Sequence, residues 1–290
     1  MKAAAFNYEK VTNIAQALSL LKVHGDQAKL IAGGQSLLPA LNMRLSAPQI
    51  LIDLQGISEL KKIEEQGQVI RIGAMVTHTQ IENSALLLEK LPLLSQAVTH
   101  IAHRAIRNLG TWGGSIVYGD PAAEWPACAI ALDGVMLIAG PNGQRRVAAK
   151  DFFQDLYTTD LGPDEIFLGT EFTMTAQKSF HYFEELSRRH GDYAVTGLAS
   201  QVEFDQGSLS AIRLVYFSVA ATPVLATKAQ NLLLGKKIQD LQNKDLLAQV
   251  CALARDEVPT VADITNSAKM KTHLVGVLLE RALKAISLSI

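Results

Sequence analysis

The sequence predicts an α+β fold in three sections, and three observations predict it. The first 55 residues read as helix, strand, glycine turn and strand; the middle mixes helices with hairpin signals; the last third reads as two strands and three helices. In the first section Thr12 is placed to cap a helix through Ile14, Ala15, Leu18 and Leu21, which Gly25 stops. Leu30-Ile31-Ala32, halted by Gly33-Gly34, and Ile50-Leu51-Ile52, closed by Asp53, read as strands. From residue 58 the pattern changes: a strand over Val69–Gly73 precedes a capping box at Thr77-His78-Thr79-Gln80. Pro92 opens a longer helix whose apolar stripe is Leu94, Ala97, Val98, Ile101 and Ala105, ended by Asn108 and Gly110. Val135–Ala139 and Arg145–Ala148 flank Pro141-Asn142-Gly143 as a hairpin, and Ile166–Phe172 reads as a strand.

The third section begins near residue 176 with the polar stretch Thr175-Ala176-Gln177-Lys178. Strands over Leu198–Phe204 and Ile212–Val219 are joined by Asp205-Gln206-Gly207. Thr222-Pro223 then opens the first of three helices, Gly235 ends it, and the last carries Leu274, Val277, Leu278, Arg281 and Ala285 at helical spacing. The expected sections are residues 1–57, 58–175 and 176–290.

Composition narrows the function. At 290 residues with 48% hydrophobic and 19% charged, the chain can bury a substantial core. A net charge of -1 offers no field for nucleic acid or an anionic membrane. No apolar run reaches the roughly 18 residues of a membrane span, and the first residues lack a signal-peptide core, which predicts a cytoplasmic protein. Cys128 and Cys251 are the only cysteines and read as buried thiols, too few for an iron–sulfur cluster that needs four thiolates. The seven histidines read mostly as solvated, capping or turn-local, His78 among the last, and Arg145-Arg146 as plain surface charge. Gly-x-Ser-x-Gly is absent, which argues against a serine hydrolase.

Two glycine-rich segments carry the chemistry. Ala32-Gly33-Gly34-Gln35-Ser36-Leu37 follows a strand, and Gly110-Thr111-Trp112-Gly113-Gly114-Ser115 follows a helix. Glycines at such turns let successive N–H groups point into one concavity suited to a phosphate, and two such loops can grip one dinucleotide. Neither contains G-x-G-x-x-G or G-x-x-x-x-G-K-[ST], so a Rossmann dehydrogenase and a P-loop nucleotidase fit poorly.

In order, Ala32-Gly33-Gly34-Gln35-Ser36, then Ile72-Gly73-Ala74-Met75-Val76-Thr77-His78, Arg107-Asn108-Leu109-Gly110-Thr111-Trp112-Gly113-Gly114-Ser115 and Asp120-Pro121-Ala122-Ala123-Glu124 closely resemble the flavoprotein medium subunit of the xanthine dehydrogenase and carbon monoxide dehydrogenase family. Arg188 with Gly191-Asp192-Tyr193-Ala194, Thr222-Pro223-Val224, and Asp263 with Ser267 extend the resemblance over nearly the whole chain. It implies a two-subdomain FAD-binding domain of the vanillyl-alcohol-oxidase (PCMH) type, followed by a C-terminal domain of antiparallel strands and helices. It implies that Ala32 to Leu37, including Gly33, Gly34 and Gln35, wrap the FAD pyrophosphate with help from the Ser36 hydroxyl, and that Thr111, Gly114 and Ser115 complete the grip. Lys29, Ile101, Asp120, Glu124 and Leu161 match further FAD-contacting positions, and Arg188 and Tyr193 match positions near the isoalloxazine.

Trp112 and Tyr118 depart from the aliphatic and histidine residues common there, which predicts a bulkier pocket wall; Ser187-Arg188-Arg189-His190 lacks the lysines frequent in relatives. The family further implies two iron–sulfur clusters in a small partner and a molybdopterin cofactor in a large one, as a dimer of heterotrimers, with no catalytic acid or base in this chain. The alternatives are a self-sufficient flavin oxidoreductase acting directly on a small substrate and an assembly module that has lost FAD. Without the family, Tyr193 reads equally as packed aromatic surface.

Overall fold

A computed structural model describes residues 2–174 and 179–288. The chain opens with β1 (Asn7–Lys10), α1 (Ile14–His24), β2 (Ala28–Ile31), α2 (Leu37–Asn42) and β3 (Ile50–Asp53). β3 lies between β1 and β2 in a parallel sheet, so Ile50–Asp53 is buried along its whole length while edge strand β1 is exposed. Asn-Tyr-Glu-Lys has no apolar alternation, and only pairing with β3 makes it a strand. Asn13 caps α1 in place of Thr12: its side chain accepts from the Gln16 N–H at 2.9 Å, while the Thr12 hydroxyl donates to Gln16.

The middle section runs β4 (Ile63–Gln66), β5 (Val69–Gly73), α3 (His78–Glu82), α4 (Ala85–Lys90), α5 (Pro92–Val98), α6 (Arg104–Arg107), α7 (Trp112–Tyr118) and α8 (Glu124–Ala131). It continues with β6 (Val135–Gly140), β7 (Gly143–Ala148), α9 (Ala149–Phe152), β8 (Phe153–Asp155), β9 (Thr158–Thr159) and β10 (Ile166–Thr173). An antiparallel sheet in the order β4-β5-β10-β6-β7 forms its backbone, and the expected hairpin closes with Gly140 opposite Gly143. The Thr77/Gln80 capping box forms with both reciprocal hydrogen bonds.

The helix opened by Pro92 is shorter than its stripe predicts. α5 ends at Val98, and the chain turns at Ala102, whose φ of 43° is incompatible with a helix, before α6 starts. Arg107 holds the break: it donates to the carbonyls of Ile101 and Ala102 at 3.0 and 3.2 Å and pairs with Glu82 at 3.1 Å. These contacts satisfy carbonyls that a continuous helix would have bonded internally. Leu94, Ala97, Val98 and Ile101 are buried as expected, and Ala105 is exposed. Arg145 also departs from plain surface charge: it forks onto Glu165 and Asp160, and Arg146 pairs with Glu171.

The last section comprises β11 (Ser179–Ser187), β12 (Ala194–Asp205), β13 (Ser208–Phe217), β14 (Val224–Leu225), α10 (Thr227–Leu233), α11 (Lys244–Glu257) and α12 (Ala268–Leu288). The polar stretch 175–178 lies outside the described residues. The four strands form one antiparallel sheet in chain order, covered on both faces. Phe183, Ala199, Val215 and Phe217 join the core of the middle section; Leu198, Val202, Leu214 and Tyr216 pack with the C-terminal helices. Thr222-Pro223 does not open a helix: it leads into β14, and α10 starts at Thr227. The face α12 buries is Val275, Leu278, Leu279, Ala282, Leu283 and Ile286, leaving Leu274, Val277 and Ala285 half-buried and Arg281 exposed. Cys128 and Cys251 are buried free thiols.

Two tryptophans tie the middle section together. Trp112 and Trp125 pack at 5.2 Å between ring centroids; the Trp112 indole N–H donates to Thr170 Oγ1 at 2.9 Å and that of Trp125 to His78 Nδ1 at 3.0 Å. Both are fully buried, so Trp112 fills the core and not the pocket wall predicted for it. Replacing the capping hydroxyl in Thr77→Ala is expected to cost about 1 kcal/mol. Denaturant unfolding should show a lower midpoint with an unchanged slope; an unmoved midpoint would contradict the cap's contribution.

Candidate functional site

β2 delivers the chain to Ala32-Gly33-Gly34-Gln35-Ser36, the segment that leads into α2. Gly33 lies so near the second glycine loop that a Cβ there would sit 2.0 Å from the Leu109 carbonyl oxygen and 2.9 Å from Gly110 Cα. Only glycine permits that approach. Gly34 follows at φ 71°, and the N–H groups of Gly34, Gln35 and Ser36 donate to no acceptor among the described residues. The Ser36 hydroxyl makes no capping bond. This is the amide-lined hollow the glycines predict.

The second loop is built differently. Thr111 Oγ1 accepts from the Gly114 N–H at 3.1 Å, the Trp112 N–H donates to the Val76 carbonyl, that of Gly113 to Ala74, and that of Ser115 to the Thr111 carbonyl. Four amides expected to face a phosphate are thus consumed in fixing α7 against β5 and its following turn. What this loop offers the cavity is its surface: Thr111, Gly114 and the Ser115 side chain, with Gly114 close to Ala32.

Between and beyond the loops lies a cavity of about 780 Å³, within the range of a small-molecule or cofactor site. Lys29, Ala32, Gly33, Gly34, Gln35, Ser36 and Leu37 line one side, and Thr111, Gly114 and Ser115 adjoin them. Ile101 and Leu161 supply apolar surface, and Asp120, Glu124 and Tyr193 line it too. Tyr193 arrives from the third section because Gly191 packs on the Ala102 carbonyl, at the break between α5 and α6.

Arg188 does not line the cavity: it is solvent-exposed and pairs with Asp192 at 3.4 Å. Arg189 is likewise exposed and outside the lining. The sequence reading missed His78, His103 and Tyr157, which do line it. Tyr157 packs on Tyr118 at 5.1 Å through the short β8–β9 hairpin, a pairing no local signal announces. His78 is the first residue of α3, which predicted a turn-local role; burial against Trp125 and the Gly110 contact instead put it in the cavity floor.

Electrostatics follow burial. Withdrawal from water, with Arg107 nearby, lowers the His78 pKa to about 3, so the ring stays neutral and accepts from Trp125 at Nδ1. At the cavity wall, loss of water raises the Glu124 pKa to about 8, with smaller contributions from Glu185 and Asp120. Asp120 is raised by burial as well, against the lowering effect of the Ala122 N–H that donates to it at 2.9 Å. Partial loss of water at the cavity side and then the Asp120 charge raise the Tyr193 phenol to about 12, although the side chain as a whole is exposed.

Residues 4–172 match the FAD binding domain in molybdopterin dehydrogenase, and residues 181–286 match the CO dehydrogenase flavoprotein C-terminal domain. The chain belongs to the FAD-binding medium subunits of the molybdenum hydroxylase family. It is 36% identical over 286 residues to 6-hydroxypseudooxynicotine dehydrogenase complex subunit alpha of Paenarthrobacter nicotinovorans, covering 98% of this chain and 95% of the relative. The carbon monoxide dehydrogenase medium chain of Hydrogenophaga pseudoflava is 34% identical over 280 residues, covering 97% and 96%. Carbon monoxide dehydrogenase from the same organism superposes with a TM-score of 0.94 at 35% identity, over 99% of this chain and 98% of that one. Quinoline 2-oxidoreductase from Pseudomonas putida 86 gives 0.92 at 32%, over 99% and 98%.

The residues fit an FAD. A flavin dinucleotide needs a cradle for a diphosphate, a cleft long enough for two ring systems, and few charges along its apolar parts. The Gly33-Gly34 hollow, the cavity beyond it, and the neutral His78 and protonated Glu124 meet these needs.

Gly33→Ala forces the first loop off Leu109, and overpacking of this kind costs about 1–3 kcal/mol. The purified variant should carry markedly less FAD per chain by visible absorbance; full flavin content would show that the close approach is dispensable. Unfolded, Glu124 titrates near 4.5, and folded it holds its proton to about 8. Its stabilising contribution is therefore complete below about 4.5 and lost as pH rises through about 8. His78 acts oppositely: its contribution is complete above 6.5 and lost as pH falls towards about 3. In the FAD-free chain Glu124→Gln should flatten the decline in stability between pH 4.5 and 8. An unchanged slope there would refute the assignment.

Proposed function

We propose that this chain is the electron-transfer subunit of a heteromeric molybdenum hydroxylase. It takes electrons from two iron–sulfur clusters in a small partner, fed by a molybdopterin cofactor in a large partner, and passes them to an external acceptor. The assembly is a cytoplasmic dimer of heterotrimers, and the chain is divided into residues 1–57, 58–175 and 176–290. FAD supplies the chemistry of collecting two electrons and handing them on. The observation that carries this reading is the cavity itself, lined by all three sections, with a free-amide cradle at one end continuing into apolar surface and the tyrosines Tyr118, Tyr157 and Tyr193.

In this reading Ala32 to Leu37 hold the diphosphate through main-chain N–H groups with the Ser36 hydroxyl, and Thr111, Gly114 and Ser115 close the other side. Lys29 adds charge, Ile101 and Leu161 pack on the flavin dinucleotide, and Asp120 and Glu124 offer hydrogen bonds. Tyr193 brings the third section to the same ligand, whereas Arg188, outside the lining, acts at most from the rim. The two buried thiols, one in α8 and one in α11, cannot supply the four thiolates of a cluster, which supports a separate iron–sulfur partner. No helix of the described residues is long and apolar enough to cross a membrane.

Co-expression with the neighbouring small and large subunits tests the proposal. The three should copurify, and organic substrate should bleach the FAD of the complex while leaving that of the isolated chain oxidised. Direct bleaching of the isolated chain by substrate would favour a self-sufficient flavin oxidoreductase.

A further inference from the structure

Ser218 directly follows β13 and sits at φ 61°, a left-handed conformation that a residue with a Cβ keeps only where its surroundings impose it. Its polar groups are bonded to three distant segments. The Ser218 N–H donates to the Pro121 carbonyl at 2.8 Å, its hydroxyl donates to the Ala194 carbonyl, and its own carbonyl accepts from Lys271 Nζ at 2.7 Å. Lys271 is buried in the first turn of α12, and Asp263 matches its charge at 2.9 Å. Asp263 is itself fixed: its Oδ1 accepts from the N–H groups of Thr265 and Asn266, each at 2.8 Å. The same loop is tied back beside Ser218, where the Val261 N–H donates to the Val219 carbonyl at 2.7 Å.

The two carbonyls that Ser218 holds belong to two walls of the cavity. Pro121 lies in the segment from Asp120 to Glu124, and Ala194 follows Tyr193; Asp120, Glu124 and Tyr193 line the cavity, while Ser218 and Lys271 stand outside its lining. At the other end of the Tyr193 segment, Gly191 packs on the Ala102 carbonyl. Tyr193 is thus anchored on both sides, by a steric contact at Gly191 and by a hydrogen bond at Ala194. Its own side chain is 69% exposed, so packing does little to hold it.

We propose that Ser218, braced by Lys271 and Asp263, is a positioning residue for FAD that presets the Tyr193 wall against the Asp120–Glu124 wall before the cofactor enters. The inference rests on the FAD site described above. Its physical basis is preorganisation: a wall segment left mobile in the empty chain must be ordered when the ligand binds, and that ordering weakens affinity. A segment already bonded on folding avoids the loss. The choice of residue fits this role. Glycine would adopt φ 61° freely, but only a side chain with a donor reaches the Ala194 carbonyl.

The test is titration of the cofactor-free full chain with FAD, followed by flavin fluorescence. Ser218→Gly keeps the backbone bonds to Pro121 and Lys271 and removes only the hydroxyl, so it should fold as wild type and bind FAD about tenfold more weakly. Tyr193→Ala should also weaken binding, and adding Ser218→Gly to it should weaken it no further, because the hydroxyl acts through the Tyr193 segment. Lys271→Met should weaken binding at least as much as Ser218→Gly. Lys271→Arg, which retains charge and donors, should restore affinity to within about threefold of wild type. Should Lys271→Met fail to fold, the cycle of Ser218→Gly with Tyr193→Ala decides. Wild-type affinity in Ser218→Gly, or full additivity of the two substitutions, reduces Ser218 to a structural turn and overturns the proposal while FAD binding stands. A wild-type chain that takes up no FAD overturns the reading of the site and the proposal together.

Discussion

The site depends on one steric contact, the approach of Gly33 to the Leu109 carbonyl. A loop leaving β2 and a loop joining α6 to α7 meet there with no room for a Cβ. That contact fixes the first loop, whose amides stay free, against the second, whose amides are spent on its own architecture. The division has a physical logic. A loop that must offer donors to a ligand cannot also satisfy them internally, so its position has to be enforced from outside. The Thr111 cap and the Val76 and Ala74 carbonyls make the second loop rigid enough to do this.

The rest of the fold keeps that contact in place and closes the cavity around it. Packed tryptophans under α7 and α8, the Arg107 clamp at the helix break, and the sheet of the third section each position a segment of the wall. Because that third sheet is covered on both faces, strand β12 is buried almost throughout, unlike an antiparallel strand with a solvated side. That sheet's inner face buries Glu185, and the turn ahead of β12 brings Tyr193 to the cavity. Three polar groups enter the interior neutral or paired: His78 uncharged, Glu124 protonated, Lys271 bonded to Asp263 and to the Ser218 carbonyl.

Much of this was legible in the residues. The Thr77 capping box, the Pro141-Asn142 hairpin, the strand and glycine turn at Leu30–Gly34 and the two buried thiols follow from local chemistry and formed as the sequence predicts, whereas helix α2 after that turn was not predicted. Errors arose where a local pattern was overridden from a distance. A continuous apolar stripe after Pro92 suggested one helix, but Arg107 and Glu82 reward a break at Ala102. Trp112 sits beside two glycines and suggested pocket wall, yet its indole N–H found Thr170 in the core. Arg188 adjoins a matching motif, and its ion pair with Asp192 holds it outside.

The sequence by itself determined which segments are glycine loops, which faces are apolar, and which family motifs occur in which order, because each is written in neighbouring residues. Tertiary structure alone decided which amides remain free and which carboxyls lose their water. Hydrogen-bond satisfaction and desolvation depend on what else occupies the surrounding volume, and that is set by segments a hundred residues away.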